Sequence, residues 1–541
     1  MQAASCHARP SAPAAVPPLF FERTPGAASR PVARPYRRRE PDQTVLHTVV
    51  RGHLETLLEE ARRRNDSGIG YPHFIEHEFR RYLDCGILAR GFVRLRCPSC
   101  GFERLVAFSC KGRLCPSCWA RRAGDTAAGL VDQVLPEAPY RQWVLTFPWE
   151  VRFLLGVDAA FWSEMLTAFL KTLFAWLRRR HRRTGGTGGE PGAVTFLQRF
   201  GGSLNLNPHF HSLLPDGVFI QDPDGQAKFL PLPPPTDEDI QHLTARLAKR
   251  LGAIARRRLA EAGLQEWDPD RAPLHASAGE ALRLPFCQGD HDAPRDKPLC
   301  ARVDGFSLHA ARTVAQDDRD GLERLCRYGL RAPFSQDRLS IDPDGRVRCR
   351  LLRPWPTPDG RPDLVLDPVA FLRRLAALVP APYQNLVRYH GVFANRSRLR
   401  PRLPKPTPRH RPDAPCSPTA ADPAPRARTK AIEGHPGTQP EVHPPRHLSW
   451  ARLLKRVLDV DALTCTRCAT PMIIVAFLTN PAILRRILDH LGLPATPPPI
   501  APSRRRPDDD DTLPFLDDQD RPNQHCPARP ASDTRTTRGP P

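Results

Sequence analysis

Cysteine spacing constrains this chain more than any other feature of its sequence. The pairs Cys97/Cys100 and Cys115/Cys118 form a C-x2-C-x14-C-x2-C pattern. Each pair is expected on a tight turn, where four thiolates close a tetrahedron around one zinc ion. Such a site leaves no position for a bound water, so we expect it to be structural and its folding to depend on the metal. The alternative interpretation is a set of inert buried thiols.

Other cysteines leave the ligand set open. Cys85 and Cys110 lie close in sequence to the two pairs and compete for the same ligand roles. Cys465 and Cys468 form a further C-x2-C pair, which is half of a zinc site. His490 is the nearby downstream candidate ligand, so this pair is either part of a zinc site shared with a partner or a relic.

The cysteines are expected to be reduced. The N-terminal segment lacks a charged stretch followed by an unbroken apolar run, and no window of 18 apolar residues exists. These features predict a cytoplasmic protein without a membrane span, in which cysteines bind metal more often than they form disulfides.

The charge balance favours a polyanionic partner. Lys and Arg total 80 against 58 Asp and Glu, a net charge of +22, and such a surface attracts nucleic acid, although it also occurs as a merely solvated face. Six cations around the cysteine turns are candidate DNA-binding residues: Arg94, Arg96, Lys111, Arg113, Arg121 and Arg122.

Composition and periodicity divide the chain into six parts. They are a disordered arm (1–41), a zinc-binding domain (42–125), a mixed helix and sheet domain (135–398), a Pro/Arg-rich linker (399–447), a C-terminal accessory unit (448–494) and a disordered tail (495–541). Within the third part, the pattern predicts a β-hairpin turning at Asp216 and Gly217, and an irregular segment over 263–301.

The triplet His209-Phe210-His211 is a candidate catalytic metal site. Residues two apart on a strand face the same side, so both imidazoles project together while Phe210 points into a core. Two neutral imidazoles hold one face of a divalent cation and leave the other positions for phosphate oxygens. The alternative is an ordinary pair of surface histidines.

Tyr328 is the candidate nucleophile. It lies in a segment that predicts a helix ended by Pro333, with Arg324 and Arg331 four residues before it and three after it. We expect these two cations to stabilise a phenolate and to neutralise a phosphate under attack. An ordinary helix tyrosine is the alternative.

Three segments are similar to one bacterial family. RLRCPSCGFERLVAFSCKGRLCPSCWARR, GAVTFLQRFGGSLNLNPHFHSLLPDGVF and LERLCRYGLRAPFSQDRL resemble the zinc-binding domain, the His-hydrophobe-His strand pair and the tyrosine helix of rolling-circle, HUH-type insertion-sequence transposases. The resemblance implies an α+β fold: an HUH endonuclease-like antiparallel sheet flanked by helices, an N-terminal helical zinc-ribbon domain and a small zinc-ribbon-like C-terminal unit.

The resemblance also implies a chemistry. Zn²⁺ would be structural, and His209 and His211 would hold Mg²⁺ or Mn²⁺ against the scissile phosphate. Gln198 or His309 would be the third ligand. Tyr328 would attack single-stranded DNA at an element end, leaving a 5′-phosphotyrosine and a free 3′-hydroxyl.

The family's mode of action then predicts the partners. The positions four before and four after Tyr328 are Arg324 and Ala332, which places the chain in the single-tyrosine branch. One nucleophile requires a homodimer or a second cycle. The sequence has no P-loop motif, so we expect a host helicase or replication proteins at the nucleoid to expose the single strand. The alternatives are an inactive zinc-dependent DNA-binding remnant and a plasmid replication initiator or relaxase.

Overall fold

The structure is a computed structural model that describes residues 34–65, 67–261, 273–282, 297–351, 362–406 and 449–504. The disorder predicted for the N-terminal arm, the linker and the tail therefore falls largely outside the described residues. The mixed α+β class predicted from the sequence is confirmed.

Within the described residues, the chain forms eleven α-helices and sixteen strands. The helices are α1 Val45–Arg63, α2 His73–Asp84, α3 Pro116–Gln133, α4 Trp149–Val157, α5 Ala159–Arg183, α6 Asp237–Glu261, α7 Pro273–Leu282, α8 Arg319–Gly329, α9 Pro368–Leu378, α10 Trp450–Leu458 and α11 Pro481–His490. The strands are β1 Arg34–Pro35, β2 Phe92–Arg96, β3 Glu103–Ala107, β4 Tyr140–Thr146, β5 Gly192–Phe200, β6 Leu206–Pro215, β7 Gly217–Gln221, β8 Ala227–Pro231, β9 Cys300–Val303, β10 Phe306–Val314, β11 Leu339–Ile341, β12 Val347–Arg350, β13 Asp363–Leu366, β14 Val387–Gly391, β15 Val460–Asp461 and β16 Ile473–Leu478.

A six-stranded antiparallel sheet organises the middle of the chain, in the order β14-β5-β6-β4-β10-β9. One face packs on α5 and α6, and Phe210 of β6 is fully buried there, with its ring 5.1 Å from that of Phe147 and 5.2 Å from that of Trp162. The other face packs on α3 and α8. Because side chains alternate along a strand, His209 and His211 lie on this second face.

The predicted hairpin at Asp216 and Gly217 is wrong. β6 pairs with β5 on one side and β4 on the other, and β7 pairs with β8 in a separate sheet. Both edges of β6 are occupied, so β7 has no edge to join. The Arg141 guanidinium donates two hydrogen bonds of 2.8 Å to the Asp216 carboxylate, which fixes the chain where it leaves the sheet.

The prediction that the segment 263–301 is irregular is wrong in part, because this segment contains α7. This helix buries Ala278 and Ala281 in the core that it shares with α1 and α9. Its small apolar side chains allow close packing between helices, a signal that is weak in a sequence rich in Ala elsewhere.

The C-terminal unit joins the cysteine-rich region in one three-stranded sheet, ordered β16-β2-β3. Ile473 of β16 lies opposite Arg96 of β2, and the Arg104 guanidinium donates a 2.7 Å hydrogen bond to the carbonyl oxygen of Ala462. The C-terminal unit therefore forms part of the same sheet as the cysteine-rich region and is not a separate module.

A buried ion cluster links that unit to the central sheet. Arg456 of α10 donates a 2.7 Å hydrogen bond to Glu323 of α8 and also pairs with Asp132 of α3. Glu323 is only 1% exposed, so this contact fixes α8 against two other elements. None of the helices in the described ranges is long and apolar enough to cross a bilayer.

Candidate active site and cysteine clusters

The first cysteine cluster is formed by Cys85, Cys110, Cys115 and Cys118, all buried, with Sγ atoms within 4.8 Å of one another. Three of the Sγ–Sγ distances are 3.5, 3.6 and 3.7 Å, close to the roughly 3.8 Å edge of a tetrahedron with 2.3 Å Zn–S bonds. The backbone N–H of Gly112 lies 3.3 Å from the Cys110 sulfur, a donor that stabilises a thiolate. The cluster fits structural zinc.

The second cluster joins Cys97 and Cys100 to Cys465 and Cys468. The Sγ–Sγ distance is 3.4 Å for Cys97 and Cys468 and 3.6 Å for Cys100 and Cys465. The backbone N–H of Arg467 lies 3.4 Å from the Cys465 sulfur. This set also fits a closed tetrahedral zinc site, with ligands from segments 365 residues apart in sequence.

The predicted grouping of both early C-x2-C pairs around one zinc is therefore wrong. Cys97 and Cys100 lie at the tip of the β2–β3 hairpin, whereas Cys85 and Cys110 lie at its base. Five-residue strands hold tip and base about 16 Å apart. The prediction that Cys465 and Cys468 share a zinc with another molecule, or are a relic, is also wrong, because pairing of β16 with β2 places them at this tip.

His209 and His211 form a buried pair, not a surface pair. Their ring centroids are 4.8 Å apart, and the side chains are 8% and 5% exposed. Nδ1 of His209 lies 2.7 Å from the carbonyl oxygen of Asn207, which assigns the proton to Nδ1 and leaves the Nε2 lone pair available. Both ring nitrogens of His211 lack a hydrogen-bond partner among the described residues.

Burial keeps these imidazoles neutral. Desolvation lowers the pKa of His209 to about 4, and the nearby Arg331 acts in the same direction. The pKa of His211 is also held well below its ordinary value by burial, by His209 and by Arg331. Neutral nitrogens with free lone pairs are the form that binds a cation, so the pair fits a divalent metal.

Tyr328 lies in the last turn of α8, on the sheet face that carries the two histidines. Its ring centroid is 5.9 Å from that of His211, with the planes at 84°, and the side chain is 49% exposed. A Cβ at Gly329 would lie 2.5 Å from the Phe196 ring, so glycine allows this end of α8 to lie directly on the sheet. The three predicted residues therefore converge.

The two flanking arginines differ. The Arg331 Cζ lies 5.0 Å from the Tyr328 ring centroid and 5.4 Å from that of Phe200, and burial lowers the pKa of Arg331. Arg331 follows the end of α8 rather than lying on it, contrary to the helical spacing expected. Arg324 is 63% exposed at its side chain and faces Asp318 at 3.8 Å.

The two candidate third ligands also differ. Gln198 lies directly opposite His209 in the β5–β6 pair; its Nε2 donates to the carbonyl oxygens of Tyr328 and Gly329, and its buried Oε1 has no partner among the described residues. His309 pairs with Val144, which lies between it and His211. In the described chain, no His, Cys, Asp or Glu forms a group with the histidine pair in which all ligand atoms lie within 4.8 Å.

The six candidate DNA-binding cations differ in their contacts and in their exposure. Arg94 is held by Glu103 at 2.7 Å, and Arg121 donates to the Ser109 hydroxyl. Arg113 contacts two backbone carbonyl oxygens, those of residues 381 and 384. The others, Arg96, Lys111 and Arg122, are exposed.

Comparison with known proteins matches two parts of this chain to transposase families. Residues 57–147 match the family model "Transposase zinc-binding domain" of the IS91 type, and residues 192–400 match the model "Putative transposase". This chain carries transposase domains. A curated relative, "Putative transposase y4qJ" of Sinorhizobium fredii (strain NBRC 101917 / NGR234), is 24% identical over 325 residues, covering 58% of this chain and 73% of the relative. No solved structure matches.

The transposase matches cover the features described above. The zinc-binding match contains the six N-terminal cysteines of the two clusters, and the second match contains the histidine pair, Gln198 and Tyr328. Transposase domains imply DNA binding, and the zinc-binding match together with the two cysteine clusters supports structural Zn²⁺. The described C-terminal residues, 449–504, which include the C-terminal unit, lie outside both matches.

Sequence reasoning missed two features. It did not pair Cys465 and Cys468 with the β2–β3 hairpin, for which the shared C-x2-C spacing was the available signal. It also missed the buried Gln384, which lines a cavity described below and belongs to no motif.

Proposed function

We propose that this transposase nicks and rejoins single-stranded DNA at the ends of an insertion sequence, through a covalent tyrosine intermediate in the manner of single-tyrosine HUH nucleases. The supporting observation is the convergence of His209, His211 and Tyr328 on one face of the central sheet, with the Tyr328 ring 5.9 Å from that of His211. Tyr328 lies more than a hundred positions from the two histidines in sequence but next to them in the fold. Its side chain is half exposed, so a substrate can reach it.

The proposed metal ligands are the two histidines and Gln198. Two neutral imidazoles and an amide oxygen without a partner form a mixed nitrogen and oxygen donor set that suits Mg²⁺ or Mn²⁺. When bound, such an ion polarises the scissile phosphate and offsets its charge. The Nε2 bonds from Gln198 to the end of α8 tie the position of this donor to that of Tyr328.

The proposed chemistry is a transesterification. The Tyr328 oxygen attacks phosphorus, a Tyr–O–P bond forms and the P–O3′ bond breaks. The phenol proton passes to solvent, to which Tyr328 is open, and the departing 3′ oxygen takes up a proton. The guanidinium of Arg331, 5.0 Å from the tyrosine ring, neutralises part of the phosphate charge. Because one ester replaces another, the reaction requires no nucleotide hydrolysis.

One nucleophile per chain has a consequence for strand transfer. α8 contains a single tyrosine, so completing a transfer requires a second copy of the chain or a second round at the same residue. We propose a homodimer for this purpose, with a host helicase or replication fork at the nucleoid exposing the single strand.

Transfer of a 3′-labelled strand to protein tests the proposal. Full-length protein is incubated with Mn²⁺ and 3′-fluorescent single strands that cover both ends of the element, and the products are separated on a denaturing gel. The wild type is expected to retain label covalently, and Tyr328→Phe to retain none. Tyr383→Phe, at a tyrosine that is 98% exposed and outside the site, is the matched control. Label on Tyr328→Phe protein, or none on wild type, contradicts the proposal.

A further inference from the structure

A cavity of about 530 Å³ lies beside the proposed nuclease centre, between the zinc-binding region and the edge of the central sheet. Trp119 and Arg122 of α3 form one wall, Gln198 of β5 another, and Val387 and Tyr389 of β14 a third. Tyr389 pairs with Val194, four residues before Gln198 on β5, so both side chains lie on the sheet face that carries the histidine pair. A space of this size accommodates a nucleotide.

The lining is strongly cationic. It contains Arg113, Arg122 and Arg331 and no Asp or Glu; Arg388 also borders the cavity, but it pairs with Thr195 and so projects from the opposite sheet face. An anion in the cavity would offset this concentration of positive charge, and arginine forks match phosphate oxygens well.

Besides Gln198 Oε1, already proposed as a metal ligand, two buried polar atoms in the lining have no protein partner among the described residues. They are the Nε of Arg331 and the Oε1 of Gln384, a residue that is only 8% exposed. Leaving such groups unpaired costs free energy, which a ligand recovers by bonding to them. A phosphate accepts from Arg331, but the Gln384 oxygen requires a donor, such as the amino or imino group of a nucleobase.

The remaining walls suit a base as well. The rings of Trp119 and Tyr389 and the side chains of Leu330 and Val387 give the cavity aromatic and apolar surface. The Trp119 indole N–H donates a 2.7 Å hydrogen bond to the Leu330 carbonyl oxygen, which fixes the ring. Fixed aromatic rings beside arginines are how proteins hold single-stranded bases.

We infer that this cavity binds one nucleotide of single-stranded DNA next to the scissile phosphate, with its phosphate on the arginines and its base edge on Gln384. The adjacency rests on the proposed nuclease function, because Arg331 both lines the cavity and lies over the Tyr328 ring. Cys115 and Cys118, at the start of α3, connect the first cysteine cluster to the wall that holds Trp119. Zinc bound at the first cysteine cluster would thereby position the cavity wall that contacts the nucleotide.

Binding measurements on a cleavage-deficient background test the inference. Zinc-loaded, full-length Tyr328→Phe protein is titrated into a fluorescent single-stranded oligonucleotide from the element end. Adding Arg113→Ala and Arg122→Ala is expected to weaken binding by about tenfold or more, because two phosphate contacts are lost. Adding Arg62→Ala and Arg346→Ala, two exposed positions outside the cavity, removes the same charge and is expected to change it by about twofold at most.

A second variant preserves charge. Gln384→Leu is expected to reduce the difference in affinity among oligonucleotides that carry each of the four bases at the positions flanking the cut. Ultraviolet crosslinking of a 4-thiothymidine oligonucleotide to the parent protein is expected to label peptides within 113–126 or 384–389. Crosslinks confined to other peptides, or equal losses in the cavity and control variants, overturn the inference.

The outcomes separate this inference from the proposed function. If the otherwise wild-type protein forms a covalent adduct while the cavity variants bind like the control, the cavity assignment fails and the nuclease stands. If no adduct forms but the cavity variants lose binding and the crosslinks map there, the nuclease proposal fails and a single-strand-binding cavity stands.

Discussion

At the residue scale, the histidine pair combines burial with unsatisfied nitrogen atoms. A buried, neutral imidazole disfavours folding in acid, because the unfolded chain takes up a proton near the ordinary pKa of about 6.5 and the folded chain does not. The pKa of His209 falls to about 4. The contribution of neutral, buried His209 to the free energy of unfolding is therefore complete above about pH 6.5 and is lost as the pH falls towards 4.

The first prediction concerns this pH dependence. Measured by denaturant unfolding without added Mg²⁺ or Mn²⁺, the wild type is expected to lose stability between pH 6.5 and 4, and His209→Gln to lose about 3 kcal/mol less over the same interval. His242→Gln, an exposed position on α6, is expected to follow the wild type. Parallel curves for His209→Gln and wild type would refute the burial argument.

The second prediction separates the two candidate third ligands. Gln198→Leu removes the unpartnered Oε1 opposite His209 and is expected to weaken Mn²⁺ binding at the histidine pair by about tenfold or more, as removal of a donor atom usually does. His309→Gln, separated from the pair by Val144, is expected to bind Mn²⁺ like the wild type. Calorimetric titration of zinc-loaded protein measures both. The reverse order would assign the ligand to His309.

At the scale of elements, the β2–β3 hairpin explains how six early cysteines serve two clusters. Its tip and base carry different ligands, and the tip is completed only when β16 pairs with β2. The second zinc therefore supports a contact between segments far apart in sequence. The buried contact of Arg456 with Glu323 also links the C-terminal unit to α8, the helix that bears Tyr328.

The third prediction concerns this second cluster. Wild-type protein is expected to contain two zinc ions by native mass spectrometry, and Cys468→Ser to retain one, because three thiolates hold zinc less tightly than four. Limited proteolysis is expected to release the C-terminal unit faster from the variant. Cys300→Ser, at a cysteine outside both clusters, is the control. Two zinc ions in Cys468→Ser, or one in the wild type, would contradict the assignment.

At the scale of the whole molecule, short-range patterns predicted local structure well. The alternation around His209, Phe210 and His211 predicted which side chains share a face, and Phe210 is in the core as expected. A helix bearing Tyr328 was also predicted, with its end at Pro333, and the structure ends it at Gly329. Both depend on neighbours within a few residues, which a sequence displays directly.

Long-range pairing accounts for what the sequence did not predict. The partner of Cys97 is Cys468, 371 positions away; the C-x2-C spacing marks Cys465 and Cys468 as half of a site but does not identify the pair that completes it. The strand after Pro215 reads as a hairpin partner, but β4 already occupies that edge of β6. Gln384 becomes notable only when α3, β5 and β14 enclose it. Each of these depends on the order of strands in a sheet, which local sequence does not specify.

The central claim is that Tyr328 becomes covalently joined to DNA within reach of the histidine pair. The most direct measurement is tandem mass spectrometry of the wild-type protein after reaction with single-stranded end DNA and Mn²⁺, followed by nuclease and protease digestion. We expect a nucleotide adduct on the peptide that contains Tyr328, and its loss in His211→Ala. An adduct located on any other residue, or an undiminished adduct in His211→Ala, would contradict the account.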